Sequence, residues 1–559
     1  MFNNNKILVV IPIINSAIGI SSKYIRLLNN KPLISYSIEL AKSSKYVDDV
    51  VVSTADSEIA LISEKFGASV IRRSAKEPDE IESVESIVYE AMVQKEKLAF
   101  DEYDIVITLQ PNSPLVKSRT LDGAIEKFED FGIDSVISVV EDTHLSWGYD
   151  EENQRFYPNY IERLTKQELP KSFKETGAIL ASRRGFIHED TCLGTNIDLV
   201  ELCREESVNI ENNDEWSIVE NYIQRKKIAI VVNANNEIGT RHIYNCLSIA
   251  SKLVSHDFVF FLDENYDLSV KMVKESGYPY KIYDGREELF NKLDEYGPQI
   301  VVNDISDTSE EYMSGLKDKG YFTVNFDDLG VGAVNADVVF DSLYEHDLSE
   351  SNVISGHEYY VLKDEFYFQP VKVITQEVKN VLIIFEGNDF NHLSERFLNA
   401  ILSTGFDNRI DIIVVSGFDD VEGFVSKYES NPLVQIYQNV PNISEFMFKA
   451  DIIITSASRT MYEACSLGVP TICVCQDELE KTHVFANASN GFVNMGLSDE
   501  LSEQEIANQF IDLVNNPELR IEMNRKMVEI DLKHGFENIK AVIEKKYRNF
   551  EMKKSKEVI

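Results

Sequence analysis

Cysteine is scarce in this chain: six occur in 559 residues, at Cys192, Cys203, Cys246, Cys465, Cys473 and Cys475. Scattered so thinly, they exclude a disulfide framework, and the lack of any Cys-x-x-Cys pair argues against a zinc site. Positive charge is short as well. Lys and Arg number 55 against 94 Asp and Glu, a formal net charge of −39, so nucleic acid or an anionic membrane would repel the chain at long range. Any phosphate it binds must be held locally. No apolar run is long enough to span a bilayer. The amino terminus, with Lys6 and a short apolar strand broken at Pro12, lacks the h-region and cleavage site of a signal peptide. Low-complexity tracts are missing too. The expectation is a cytoplasmic protein with no nucleic-acid partner and no membrane insertion.

What is present is ordinary globular material, 43% hydrophobic and 27% charged, in a length that calls for about three to four cores. Short β-branched runs alternate with amphipathic helical stretches from end to end, the pattern of parallel sheets with crossover helices. "KILVVIPI", "DDVVVST", "ASVIRR", "YDIVITLQP" and "DSVISVV" are the predicted strands of a first α/β domain. The alternation restarts at "KIAIVVNA" and again at "VKNVLIIFEG". The fold class read from this is α/β: an amino-terminal Rossmann-like domain over residues 1–226, then two doubly wound halves in tandem over 227–370 and 371–559. "LKDEFYFQPVKVITQEVKN" would join those halves, and "KYRNFEMKKSKEVI" would be a polar carboxyl-terminal helix or tail.

A strand, then a loop opening a helix, is the geometry that binds phosphate through backbone N–H groups and the helix dipole. The segment "ILVVIPIINSAIGISSKYIRLLNN" sits at such a place. Its neighbours "NKPLISYSIELA", "LQPNSPL", "SVISVVEDTHLSW", "KETGAIL" and "VNIENNDEW" follow in the order seen in CMP-sialic acid synthetases, so residues 5–225 resemble the acylneuraminate cytidylyltransferase family. The resemblance implies CTP or CMP and an acidic sugar as ligands, Mg²⁺ in this domain, and a homodimer formed through it. It implies nucleotide contacts at Gly19, Lys23, Gln110 and Ser113, and metal ligands at Glu211 and Asp214.

The family's loop usually carries an Arg and a Lys where this chain has Ile14 and Ile18. Its Asp-x-Asp appears as Asn209 and Glu211, an arginine as Val116, its Asn-Gly-Ala as Thr176, Gly177 and Ala178, and its Thr-Asp-Asp as Thr54, Ala55 and Asp56. Transfer to the α-phosphorus builds negative charge that cations normally stabilise, and Mg²⁺ prefers anionic oxygen ligands. The domain is therefore expected to have altered or lost nucleotidyl transfer. Taken singly, Asp56, Gln110 and Ser113 read as caps and turn residues at strand ends.

From residue 227 onward, "IGTRHIYNCLSIASKL", "VNFDDLG", "IIFEGND", "ITSASRTMYEACSLGVP" and "ELEKTHVFANASNGFVNMG" resemble the UDP-sugar hydrolase of the pseudaminic acid pathway and its spore-coat polysaccharide relatives. Those proteins have the two-lobed GT-B fold. By resemblance His242 is the catalytic base, preceded by Arg241 where the hydrolases have glycine. The other reading is a histidine hydrogen-bonded in a helix's first turn. Asp328 is the second catalytic candidate. Ser458, Arg459, Thr460 and Glu463 match the nucleotide-holding loop, with Arg459 in place of a small residue, so that it either adds a phosphate cation or fills the pocket. Gly239, Asp327, Gly387, Asn388 and His483 are the substrate-binding candidates; Asp327 and Asp328 also read as helix caps. Glu386 replaces a glycine near the diphosphate. No cofactor is expected in this unit.

Three functions remain open at this point. One is a fused enzyme of nonulosonic acid (sialic, pseudaminic or legionaminic type) or surface-polysaccharide biosynthesis, whose carboxyl-terminal unit hydrolyses a nucleotide sugar. Another is a GT-B glycosyltransferase with a CMP- or UDP-sugar donor. The last is a non-catalytic nucleotide-sugar-binding or scaffold protein.

Overall fold

The computed structural model describes every residue except 1, 3–4, 15–21, 75–82, 236–240, 306, 344–351, 386–388, 390, 415–417, 419, 439, 441 and 558–559. The chain divides into two compact units, Met1–Arg225 and Lys226–Ile559.

In the first unit, buried β-branched runs such as Ile7–Pro12 and Ile105–Leu109 form the centre of a seven-stranded sheet. Ile7–Pro12 pairs in parallel with Asp49–Thr54 on one side and Ile105–Leu109 on the other. The long strand Phe173–Arg183 runs antiparallel between Ile105–Leu109 and Ser135–Glu141. Periodicity cannot reveal that reversal, since a strand's apolar pattern reads alike in either direction. A hairpin of Trp147–Asp150 and Arg155–Pro158 forms a separate two-stranded sheet.

The second unit holds two all-parallel sheets. In the first lobe the strands lie in the order Tyr280–Tyr283, Asp257–Asp263, Lys227–Val232, Ile300–Asp304, Phe322–Phe326, Val338–Asp341 and Val353–Ser355. In the second the order is Val434–Gln438, Arg409–Val414, Asn380–Ile384, Ile452–Ser456, Thr471–Cys475 and Phe492–Leu497. In both, the first strand in sequence lies inside the sheet and the order reverses beside it. Doubly wound sheets bind ligands at the carboxyl ends of the strands at that reversal. The expected α/β architecture of a nucleotidyltransferase-like domain followed by a two-lobed GT-B unit is present.

The carboxyl-terminal stretch is the helix expected there, Gly535–Glu557, and it packs on the first lobe rather than the second. Ile539 and Tyr547 lie in the first lobe's core beside Phe322 and Phe340, and Tyr547 meets Phe322 edge to face at 5.4 Å. Its apolar positions form a stripe among many lysines, which composition alone reads as polar.

Candidate functional site

Strands Lys227–Val232 and Ile300–Asp304 are sheet neighbours, with Val232 opposite Asp304. The helix that follows the first of them, Arg241–Lys252, therefore starts beside the carboxyl end of the second. His242 Nδ1 lies 2.6 Å from Asp304 Oδ1, with the side chains 1% and 0% exposed. Asn245 Nδ2 donates to Asp304 Oδ2 at 2.6 Å, and Cys246 Sγ lies 3.8 Å from the same oxygen. Residues 242, 245 and 246 share one helix face by their spacing. A carboxylate only accepts, so these partners assign the proton to Nδ1 and leave Nε2 with its lone pair. Arg241 Nε donates to that Nε2 at 3.1 Å. Burial, and then the Asp304 carboxylate, push the Cys246 thiol far up, which keeps it protonated. A carboxylate-oriented imidazole at the opening of a helix has the form of a general base.

The two lobes meet at a buried ion pair. Asp327 ends the strand Phe322–Phe326 in the left-handed region, φ +46°, a conformation that costs an Asp free energy and collects at functional sites. Its Oδ2 pairs with Arg459 Nη2 of the second lobe, and its Oδ1 accepts from Ser342 N at 3.2 Å. Burial works to lower the Arg459 pKa, but the Asp327 and Asp304 carboxylates outweigh it and raise it. Arg459 Nε and Thr460 Oγ1 are buried without a hydrogen-bond partner. Arg459 precedes the helix Thr460–Leu467. Tyr462 on that helix donates its hydroxyl to Ser342 O of the first lobe. Glu463 binds Lys363 Nζ at 2.7 Å. His483 Nδ1 bonds the Ala457 carbonyl, and burial sets its pKa below the ordinary histidine value. Tyr462 stacks on Tyr360 with centroids 4.4 Å apart.

In the first unit, Asn209 joins a loop to the strand Phe173–Arg183: Ser113 Oγ donates to its Oδ1 at 2.6 Å, and its Nδ2 donates to the Thr176 carbonyl. A carboxylate could not make the second bond. Lys23 Nζ donates to Ile210 O at 3.2 Å; burial lowers its pKa, with Glu211 and Glu215 opposing. Gly177 sits at φ +70° next to Gln110, a backbone conformation that an L side chain rarely adopts. Arg73 Nη2 reaches the Ile13 carbonyl at 2.5 Å, placing a cation at the mouth of the opening loop.

The sequence profile of the family described as Cytidylyltransferase matches residues 13–211, and that of the Glycosyltransferase family 28 C-terminal domain matches residues 385–545. An uncharacterized protein of Methanocaldococcus jannaschii is 26% identical over 275 residues, 46% of this chain and 57% of its own. The CMP-N,N'-diacetyllegionaminic acid synthase of Legionella pneumophila is 28% identical over 235 residues, 40% of this chain and 100% of its own. N-acylneuraminate cytidylyltransferase A of Danio rerio is 28% identical over 212 residues, 37% of this chain and 48% of its own. The chain thus spans about half the length of the archaeal and fish relatives. The chain is a fusion of a cytidylyltransferase-family domain with a family 28-like GT-B unit.

Set against the residues expected to act in this fusion, the structure assembles some and separates others. Gly19, Gly239, Gly387 and Asn388 lie outside the described residues. His242, Asp327, Arg459 and His483 converge at the lobe junction, and Ser458 and Thr460 open its second-lobe helix. Asp328, the second catalytic candidate, is engaged by its neighbours. Its carboxylate accepts four hydrogen bonds, from Thr308 N and Oγ1, Asn325 Nδ2 and Gly330 N at 2.6–2.9 Å, which uses all its lone pairs and makes it the organiser of the 327–330 loop. Glu463, expected in the nucleotide-holding loop, is held by Lys363.

In the cytidylyltransferase domain, Asp56 caps the helix Ser57–Lys65 by accepting from Glu58 N and Ile59 N. Gln110 starts a turn whose carbonyl accepts from Ser113 N at 3.3 Å. Asp214 lies in the first turn of the helix Asn213–Gln224, where it complements the dipole. Among the described residues no group of three His, Cys, Asp or Glu could hold a metal ion. Asn209's amide is engaged at both ends, which leaves Glu211 and Asp214 as the carboxylates that the resemblance assigns to Mg²⁺. Asp304 and Arg73 are the residues that sequence reasoning missed. Arg73 closes the predicted strand "ASVIRR" and Asp304 ends the strand Ile300–Asp304, neither within a motif.

Proposed function

We propose that the fusion acts in nonulosonic acid or surface-polysaccharide biosynthesis, and that its GT-B unit cleaves the sugar–phosphate bond of a nucleotide sugar. The observation that carries this reading is the contact between His242 and Asp304. His242 Nε2 takes a proton from water, the oxygen attacks the anomeric carbon, and the sugar–phosphate bond breaks toward the nucleotide. Asp304 holds the ring and stabilises the imidazolium that forms. The leaving phosphate charge meets Arg459 and the start of the helix Thr460–Leu467. Transfer to a sugar hydroxyl in place of water is the second reading, and the family 28 match supports it.

For the cytidylyltransferase domain, the reading is lost or altered nucleotidyl transfer, supported by the Asn209 bridge and the two isoleucines in the loop. A cytoplasmic setting is supported by six free thiols, and no helix among the described residues is long and apolar enough to cross a membrane. The implied homodimer is supported by the detached hairpin: Trp147, Tyr149, Phe156 and Tyr157 on it are exposed, as are Ile161 and Phe173 beside it. An isolated two-stranded ribbon gains stability when its apolar faces are covered.

The test is a panel of UDP- and CMP-sugars with the full chain, following nucleotide release with and without acceptor. Release to water supports hydrolysis, and acceptor-dependent release supports transfer. Binding without release would overturn both and leave a non-catalytic protein.

A further inference from the structure

Two guanidiniums stand at the lobe junction, and both belong to positions where this chain departs from the hydrolases it resembles. In the structure each is engaged by a neighbour. Arg241 Nε donates to His242 Nε2 at 3.1 Å, the lone pair a base needs. Arg459 pairs with Asp327 across the lobes. Their surroundings couple them: His483 feels the charges of both Asp327 and Arg241, and Arg459 feels both Asp327 and Asp304. Asp304 in turn holds His242. Two donors at the junction are unfilled, Arg459 Nε on a side chain 9% exposed and the 1%-exposed Thr460's Oγ1. They lie at the start of an eight-residue helix, whose dipole favours an anion.

We propose that Arg241 and Arg459 are the anion-binding pair of this junction, and that a diphosphate ligand unmasks the base by drawing Arg241 off His242 Nε2 and Arg459 off Asp327. The proposal rests on His242 being the base. A hydrogen bond from guanidinium to a neutral imidazole is weaker than a charge-assisted bond to phosphate, so phosphate competes for Arg241 against His242 Nε2. The Arg459–Asp327 pair is buried and stronger, and a single phosphate would have to displace a carboxylate already in place. A diphosphate supplies a second anionic group, which serves Arg241 while the first takes Arg459 Nε, Thr460 Oγ1 and the helix start. Empty, the junction is self-paired and the base is capped. Filled, the Nε2 lone pair is exposed next to the bond to be broken.

The experiment uses the full chain and inorganic pyrophosphate, with inorganic phosphate as the comparison. The ¹⁵N-histidine spectrum reports His242 Nε2, assigned through its loss in His242→Gln, and calorimetry reports affinity. Pyrophosphate is expected to move the His242 resonance, and phosphate at the same concentration to leave it in place. In Arg241→Met the resonance should stand near its ligand-bound position from the start. Asp327→Asn should bind pyrophosphate about tenfold more tightly, and Arg459→Met about tenfold more weakly. Absent pyrophosphate binding, a His242 resonance that does not move on binding, or an Arg241→Met spectrum like the ligand-free wild type would each overturn the proposal. Should Asp327→Asn fail to fold, the half-buried Arg241→Met still decides it. None of these readings needs turnover. A protein that fails to cleave nucleotide sugars sinks the functional reading, and an unmoved resonance sinks this one.

Discussion

Asp304 Oδ1 stands 2.6 Å from His242 Nδ1 although 62 residues separate them in the chain. The contact assigns the imidazole's tautomer and leaves Nε2 for chemistry. On that basis His242→Ala should lower turnover of a nucleotide sugar by about 10²- to 10⁴-fold. Asp304→Asn should also lose about 10²-fold or more, because an amide at 304 can donate to the ring and favour the wrong tautomer. Steady-state kinetics on both variants checks this, and turnover unchanged in His242→Ala would remove the base assignment.

The lobes are joined by a pair that is costly to break from one side. Arg459→Ala leaves Asp327 buried at 4% exposure with its charge uncompensated, so the GT-B unit should lose about 3–5 kcal/mol. Combining Arg459→Met with Asp327→Asn should recover much of the loss, since no unpaired charge then remains. Urea unfolding of the single and double variants measures the difference.

His483 makes stability depend on pH. Burial holds its folded pKa below the unfolded value of about 6.5, so below that pH the unfolded chain binds more protons than the folded one. Its contribution is present in full above pH ~6.5 and is lost as pH falls toward the folded value. Urea unfolding midpoints at pH 7.5 and at about one unit below 6.5 should differ less in His483→Gln than in the wild type. An equal fall in both would assign the slope to other groups.

In the cytidylyltransferase domain, incubation of CTP with Mg²⁺ and acidic sugars should release little or no pyrophosphate. Restoring the family's residue should not rescue it simply: Asn209→Asp sets a carboxylate against the Thr176 carbonyl, losing a donor and about 1–3 kcal/mol. A stable Asn209→Asp protein with strong pyrophosphate release would contradict the structural role given to the amide.

The hairpin's exposed aromatics should be covered in solution. Light scattering on the full chain is expected to give twice the monomer mass, and Trp147→Lys with Phe156→Lys to give the monomer. A wild-type monomer at working concentration would refute the homodimer.

The local pattern made much of the architecture legible. "KIAIVVNA" and "VKNVLIIFEG" announce restarts because a strand buried on both faces must be a continuous apolar run. Asp56 was readable as a cap because an Asx side chain satisfies N–H groups two and three residues ahead. The antiparallel strand Phe173–Arg183 was not readable as such, nor was the apolar stripe of Gly535–Glu557 as part of the first lobe's core. Direction and docking partner leave no mark on a strand's or helix's own periodicity.

By itself, the sequence determined where most strands and helices lie and which loops open helices at strand ends, because those depend on neighbours two to four residues away. It also placed His242 and Arg459 at such openings. Only the tertiary structure decided their partners. Asp304 meets His242 because its strand lies next to Lys227–Val232 in the sheet. Arg459 meets Asp327 across 132 residues because two separately wound sheets bring their carboxyl-end loops together. Sheet order and lobe packing arise from the summed burial of many side chains, and no short segment carries that sum.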